Sequence, residues 1–137
     1  MPFAPAVLEG YENDCFTFSQ ALAKTSEFMT ITMNCTDFFK KYCPATVHVD
    51  GTARPQIVRK NINSRFFDIL TEYQKITGIP AMINTSFNMH EEPIVCTSED
   101  AIKACISAKF RYLAIGPFLA EFEFPSPPKN NLPPSYN

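Results

Sequence analysis

Apolar and polar positions along the chain change period several times, and each change marks a predicted element. After Pro5, the run Ala6 to Tyr11 predicts a short helix with proline in its first turn. Residues 27–33, Glu-Phe-Met-Thr-Ile-Thr-Met, alternate on a β-favouring composition and predict a half-buried strand. Residues 34–44 read as a linker holding a short amphipathic piece around Phe38, Phe39 and Tyr42. Between Thr46 and Lys60, two short strands are expected to flank a reversal at Asp50-Gly51-Thr52, because Gly after Asp is a strong turn signal. Pro55 has no amide donor, so its strand should lie at an edge or at the start of pairing.

Further along, Phe66, Phe67, Leu70, Tyr73 and Ile76 fall on one helical stripe. Asn63 is placed to cap that helix, Gly78 to end it and Pro80 to prevent its continuation, giving a helix over 64–77 with its stripe in the core. A buried strand over 81–83 then delivers the polar run Asn84-Thr85-Ser86-Phe87-Asn88 to a sheet edge. Thr97-Ser98-Glu99-Asp100 has the capping-box pattern, so a helix over 98–108 should bury Ala101, Ile102, Cys105 and Ile106. Residues 112–115 form a further core strand, stopped by Gly116-Pro117, and 118–124 alternate like an edge strand. Strands separated by two capped helices make the chain an α/β or α+β domain on a mixed sheet.

Composition narrows this picture. The 137 residues suit one domain over 1–124, with 45% hydrophobic residues and 13 Phe to build a core. Residues 125–137 hold five prolines and read as a tail or docking strap that cannot offset its ordering entropy. The net charge of -2 supplies no global field for nucleic acid, so any anion site must be local. Five widely spaced cysteines without a C-x-x-C pair suggest reduced thiols in a cytoplasmic compartment. No apolar run approaches the ~20 residues of a membrane span, and no leader pattern is present, so a soluble, unexported protein with no membrane partner is expected. The abrupt start at Met1-Pro2-Phe3-Ala4-Pro5 suggests a piece of something longer.

The candidate chemistry lies in two stretches. Arg54 is the first candidate, because a guanidinium is always charged and its planar fork matches phosphate or carboxylate oxygens. The alternative is a surface arginine paired with a carboxylate. Ser86 and Asn88, two apart after a strand, would address one ligand if the backbone stayed extended. Their alternative is a turn that satisfies its own backbone. His48-x-Asp50 falls short of the three or four ligands of a metal site, so no metal is expected. Gly-rich phosphate loops, nucleophile elbows and H-E-x-x-H helices are missing from the sequence. Only Cys43, after Lys40-Lys41, has basic neighbours that could favour a thiolate.

Read together and in order, Pro2-Phe3-Ala4-Pro5, His48-Val49-Asp50-Gly51-Thr52-Ala53-Arg54-Pro55-Gln56, Thr77-Gly78-Ile79-Pro80, Asn84-Thr85-Ser86-Phe87-Asn88, Glu92-Pro93-Ile94-Val95 and Thr97 to Ala101 resemble the C-terminal domain of the O-carbamoyltransferases, the NodU/TobZ type that modifies nodulation factors and antibiotics. The resemblance covers about residues 2 to 122. It implies a YrdC-like twisted mixed sheet with flanking helices that, in the full enzyme, turns carbamoyl phosphate and ATP with Mg2+ into carbamoyl adenylate. A Kae1-like N-terminal domain then passes the carbamoyl group to a substrate hydroxyl. By similarity Arg54 would hold phosphate or adenylate oxygens, Ser86 with Asn88 would match the S-x-N element of the ligand pocket, and Thr52, His48 and Asn84 would line it. Arg54 and Ser86 are the catalytic candidates, Ser86 as a hydrogen-bond donor rather than an attacker. No tightly bound cofactor is expected, and homo-oligomerisation is compatible with the sequence.

The pattern departs from the family in two places. The family's basic K-x-R element lies upstream of the Phe-Ala-Pro motif and before this sequence begins, so the chain is expected to be inactive alone. Glu91 stands where the family commonly has Gly. A nucleotide- or anion-binding domain without chemistry, or a docking partner of a separate catalytic chain, are the rival readings.

Overall fold

The computed structural model describes residues 3–17 and 24–125, so the proline-rich tail expected over 125–137 lies outside the described residues beyond its first position. The chain divides into two compact units between Thr85 and Ser86. Both are mixed α/β, and each is built on small sheets.

The first unit is organised on β1, Ala4–Leu8, whose five residues are all buried. It pairs in parallel with β4, Gln56–Val58, and antiparallel with β5, Ala81–Asn84. The helix expected over 6–11 is therefore a strand, followed by a single helical turn, α1, Glu12–Cys15. A continuous apolar run is what a strand buried on both faces needs, and over so few residues it cannot be told from a helix start by period. Pro5 fits because of register. Leu8 N–H donates to Pro80 C=O at 2.9 Å, so Leu8, Ala6 and Ala4 are the β1 residues bonded to β5. The missing donor of Pro5 falls on the β4 side, where pairing starts only at Ala6.

The faces of β1 carry separate cores. Val7, Ile57 and Ala81 pack on Cys15, Phe16, Met33 and Phe39, with the Phe16 and Phe39 rings 4.8 Å apart. Ala6, Leu8, Val58 and Met82 pack on α3, Ser64–Thr77, through Leu70, Phe66 and Phe67. The helix has its predicted bounds: Asn63 accepts from Phe66 N–H at 3.2 Å, and Gly78 takes φ 74 at the C-terminal end. Its stripe does not all reach the core, since Ile76 is 83% exposed.

The half-buried strand expected over 27–33 is instead a 3-10 turn, Thr25–Phe28, ended by Met29 in left-handed conformation at φ 55. Tertiary charge overrides the alternation there. Glu27 is turned to Arg59 Nε at 2.5 Å, and Arg59 Nη1 reaches Glu9 at 2.9 Å. Burial acts to lower the pKa of Arg59, but the bonds from Glu27 and Glu9 outweigh it and raise the value. The trio ties the ends of β1 and β4 to the 3-10 turn. Only β2, Met33–Asn34, remains of the expected strand, and it pairs with β3, Thr52–Ala53. Within 34–44 the amphipathic piece is α2, Asp37–Tyr42, capped by Thr36 and burying Phe39 alone. A 3-10 turn, Pro44–Thr46, replaces the strand expected before the reversal. Strand β5 is an edge rather than buried throughout: Ala81 is buried, whereas Ile83 is 52% exposed.

In the second unit α4, Ser98–Ser107, carries the predicted capping box, with Thr97 Oγ1 accepting from Asp100 N–H and Asp100 Oδ2 accepting from Thr97 N–H. The hydroxyl and the backbone N–H of Thr97 together hold the Asp100 carboxyl below the ordinary carboxylate range. The buried residues are Ala101, Ala104 and Cys105, while Ile102 and Ile106, expected inside, are exposed. Ala101 and Cys105 pack with Leu113 of β6, Tyr112–Ile115, which forms a hairpin with β7, Phe118–Glu121, through Gly116 at φ 56.

Leu70→Ala should cost about 2–5 kcal/mol, as for other buried leucines, and Ile76→Ala should stay within about 0.5 kcal/mol, as at exposed positions. Chemical denaturation of the two variants checks this, and equal losses would return Ile76 to the core.

Candidate functional site

In the first unit the reversal between α2 and β3 is closed by its own polar groups. His48 N–H donates to Thr52 C=O at 2.7 Å, and Gly51 N–H donates to His48 C=O at 2.9 Å. Asp50 Oδ1 accepts from Thr52 Oγ1 at 2.7 Å and from Thr52 N–H at 3.0 Å, and these bonds lower its pKa. Thr52 has one hydroxyl proton and gives it to Asp50. The 3.1 Å contact from His48 Nδ1 to Thr52 Oγ1 thus makes Nδ1 the donor, and in the neutral ring Nε2 is an acceptor. Gly51 sits at φ 80, and a Cβ there would meet Lys40 Cε at 3.4 Å. Lys40, which the sequence did not single out, so lays a cation against this turn.

From Thr52 to Ile57 burial alternates: Ala53, Pro55 and Ile57 go inward, and Thr52, Arg54 and Gln56 are half-buried. Arg54 therefore emerges on the side of the chain that carries Thr52 and Gln56. Among the described residues of its unit it has neither an ion-pair nor a hydrogen-bond partner. The reading in which a carboxylate neutralises it finds no support there. Asn84 Nδ2 donates to Gln56 Oε1 at 2.6 Å and lies 3.8 Å from Met29 Sδ. This bond crosses β1 above Ala4 and Ala6, whose small side chains leave the sheet face open. Asn84 is thus bonded to Gln56, which the sequence had given no separate role, while His48 is bonded to Thr52, and Thr52 and Arg54 share the side of the chain that carries Gln56.

Ser86 and Asn88 belong to the second unit. Phe87, between them, packs on the Ala101, Cys105 and Leu113 core. Ser86 is exposed with no hydrogen-bond partner among the described residues of its unit. Asn88 spends both amide protons on its own loop, donating from Nδ2 to Met89 C=O at 2.9 Å and Glu92 C=O at 3.0 Å. Its Oδ1 has no partner among the described residues of its unit. Within this loop Glu91 sits at φ 65, where a side chain is strained and glycine is not. The glycine that the family commonly carries at this position would adopt that conformation without strain.

Four of the thiols, Cys15, Cys35, Cys43 and Cys105, are packing groups, and Cys96 is exposed. All five cysteines are unpaired. Burial pushes the Cys35 thiol up to about 11 even though Lys40 pulls it down, and burial also raises Cys15 and Cys43. The suggestion of a thiolate at Cys43 is corrected by this, because desolvation dominates there. Among the described residues no group of three or more His, Cys, Asp or Glu could hold a metal ion, and no helix is long and apolar enough to cross a membrane.

Comparison with known proteins adds a second line. A family model described as the carbamoyltransferase C-terminus matches residues 1–121. The chain is 38% identical over 119 residues to an uncharacterized protein, MJ1051, of Methanocaldococcus jannaschii, covering 87% of this chain and 22% of that protein. It is 35% identical over 126 residues to nodulation protein NolNO of Sinorhizobium fredii, covering 92% and 18%. It is also 35% identical over 118 residues to nodulation protein NolO of Bradyrhizobium diazoefficiens, covering 86% and 21%. The chain thus spans about a fifth of the length of these relatives.

Glu91→Gly should leave stability unchanged or raise it by up to about 1 kcal/mol, since relief of left-handed strain opposes the extra chain entropy. A thermal-unfolding comparison that finds a clear loss would contradict the loop conformation described here.

Proposed function

Because the chain belongs to the carbamoyltransferase C-terminus family, we propose that it is the part of an O-carbamoyltransferase in which carbamoyl phosphate and MgATP meet to form carbamoyl adenylate. The single observation that carries this reading is Arg54: a half-buried guanidinium without a carboxylate partner among the described residues of its unit, in a chain of net charge -2. A cation kept free in a polar row suits an anionic ligand. In this reading Arg54 holds phosphate or adenylate oxygens, and His48 offers Nε2 beside Thr52. Ser86 offers a free hydroxyl, and Asn88 its unused Oδ1.

The chemistry asks little covalent work of such residues. Water releases phosphate from carbamoyl phosphate, and an oxygen of the resulting carbamate attacks the α-phosphate of ATP and expels pyrophosphate, so positioning and charge stabilisation by fixed donors supply most of the effect. No side-chain nucleophile is needed, in keeping with the Cys15 and Cys35 thiols, which burial holds protonated. Transfer of the carbamoyl group to a hydroxyl belongs, in this reading, to a Kae1-like domain of the longer protein. A reducing, ATP-supplied compartment such as the cytoplasm suits five unpaired thiols.

A second reading, a nucleotide- or anion-binding module without chemistry, is favoured by the Asn84 and Asn88 amides, which are committed to protein partners. Carbamoyl-phosphate-dependent exchange of pyrophosphate into ATP separates the two. It is expected in a longer protein carrying this chain as its C-terminal region, and its absence there, with ligand binding intact, selects the binding module.

Arg54→Ala should weaken binding of carbamoyl phosphate or ATP at least about tenfold, as expected for loss of a charge-assisted hydrogen bond, with the melting temperature within a few degrees of wild type. Titration calorimetry and thermal unfolding together check this. Unchanged affinity, or a large fall in melting temperature, would mark Arg54 as structural.

A further inference from the structure

Among the described residues of the first unit, the three-stranded sheet has one edge that no further strand covers. In the order β4-β1-β5, the β4 edge is packed by the 3-10 turn Thr25–Phe28 and secured by the Arg59 pairs, whereas β5 has β1 on one side only. The register decides which groups face outward. Met82 and Asn84 are bonded to Ala6 and Ala4, so the N–H and C=O groups of Ala81 and Ile83 point away from β1. Ala81 is nevertheless buried. Backbone donors and acceptors in so covered a position are normally paired.

The edge lies in an apolar groove of about 170 Å3 within the first unit. One wall is Tyr42 to Thr46, the other is Tyr73 of α3, and Ile79, Met82 and Ile83 form the floor. Met82 packs on the α3 side of the sheet and Ala81 on the opposite side, so the groove straddles the strand edge rather than covering one face. Exposed apolar side chains extend the surface: Tyr42, Ile83 and, one helical turn from Tyr73, Ile69 and Ile76.

We propose that the open edge of β5 is a strand-addition site, at which Ala81 and Ile83 pair with an extended apolar segment from the part of a full-length carbamoyltransferase outside the matched region. The relatives have about four-fifths of their length in that part, since the matches span 18–22% of each. Main-chain pairing would supply affinity, and alternate aliphatic side chains of the segment would seat between Tyr42 and Tyr73. A second copy of this chain fits less well. Its own β5 is flanked by the same two walls, which would meet wall against wall, whereas a bare segment enters between them.

The test adds the unmatched remainder of the Methanocaldococcus jannaschii relative to this chain and follows amide hydrogen exchange. In the free chain Ala81 and Ile83 should exchange far faster than Met82 and Asn84, and in the complex they should gain on the order of 100-fold protection. Ile83→Pro removes only an outward N–H, which an edge strand tolerates, and should weaken the complex at least about tenfold while the free chain stays folded. Absence of a complex, a complex in which Ala81 and Ile83 exchange as before, or protection that grows with concentration of the chain alone, which would make the occupant a second copy, each overturns the proposal.

Discussion

Burial of β1 on both faces is the constraint from which the first unit follows. Five residues with no exposed side stand between a parallel and an antiparallel neighbour, and the helices of the unit pack on one face or the other. Val7 faces the Phe16 and Phe39 core, and Ala6 and Leu8 face Leu70. The strand is tolerant of a proline only because Pro5 precedes the first bond to β4. It carries alanine at positions 4 and 6 where Asn84 and Gln56 must meet across it. Larger side chains there would occupy the space the 2.6 Å bond uses.

Charge is divided in a way that packing alone does not require. Arg59 is held by Glu9 and Glu27 at the end of the same two strands, where removal of either carboxylate would leave a partly buried cation. Arg54, five positions earlier and also half-buried, has no such partner among the described residues of its unit. One guanidinium fastens the sheet, and the other is left available. The contrast gives Arg54 its place in the proposed function. The His48 to Thr52 turn beside it is rigid because Asp50, Thr52 and His48 satisfy one another.

What the sequence made legible was local. Asn63, Gly78, Thr97 and Asp100 are signals read within one helical turn, and both helices they bound are where expected. The family resemblance rested on several motifs in order and holds over residues 1–121. What escaped was set by partners distant along the chain. β1 was mistaken for a helix because Pro5 before an apolar run is also a helix start. Residues 27–33 kept a strand-like alternation that the Glu27 to Arg59 pair overrides. Ile83 was placed inside because nothing local says that β5 has a neighbour on one side only. At the site, Arg54, His48, Thr52 and Asn84 were visible as residue types, but Gln56 and Lys40 were not, since their roles arise from contacts with Asn84 and Gly51 that no spacing encodes.

Amide exchange of Ala6, Val7 and Leu8 is the most direct measurement of the constraint that organises this unit. A strand bonded on both sides should hold these amides among the slowest in the unit, exchanging only when the unit unfolds as a whole. If they exchanged faster than the mid-helix amides around Leu70, β1 would not be the element on which the rest is built.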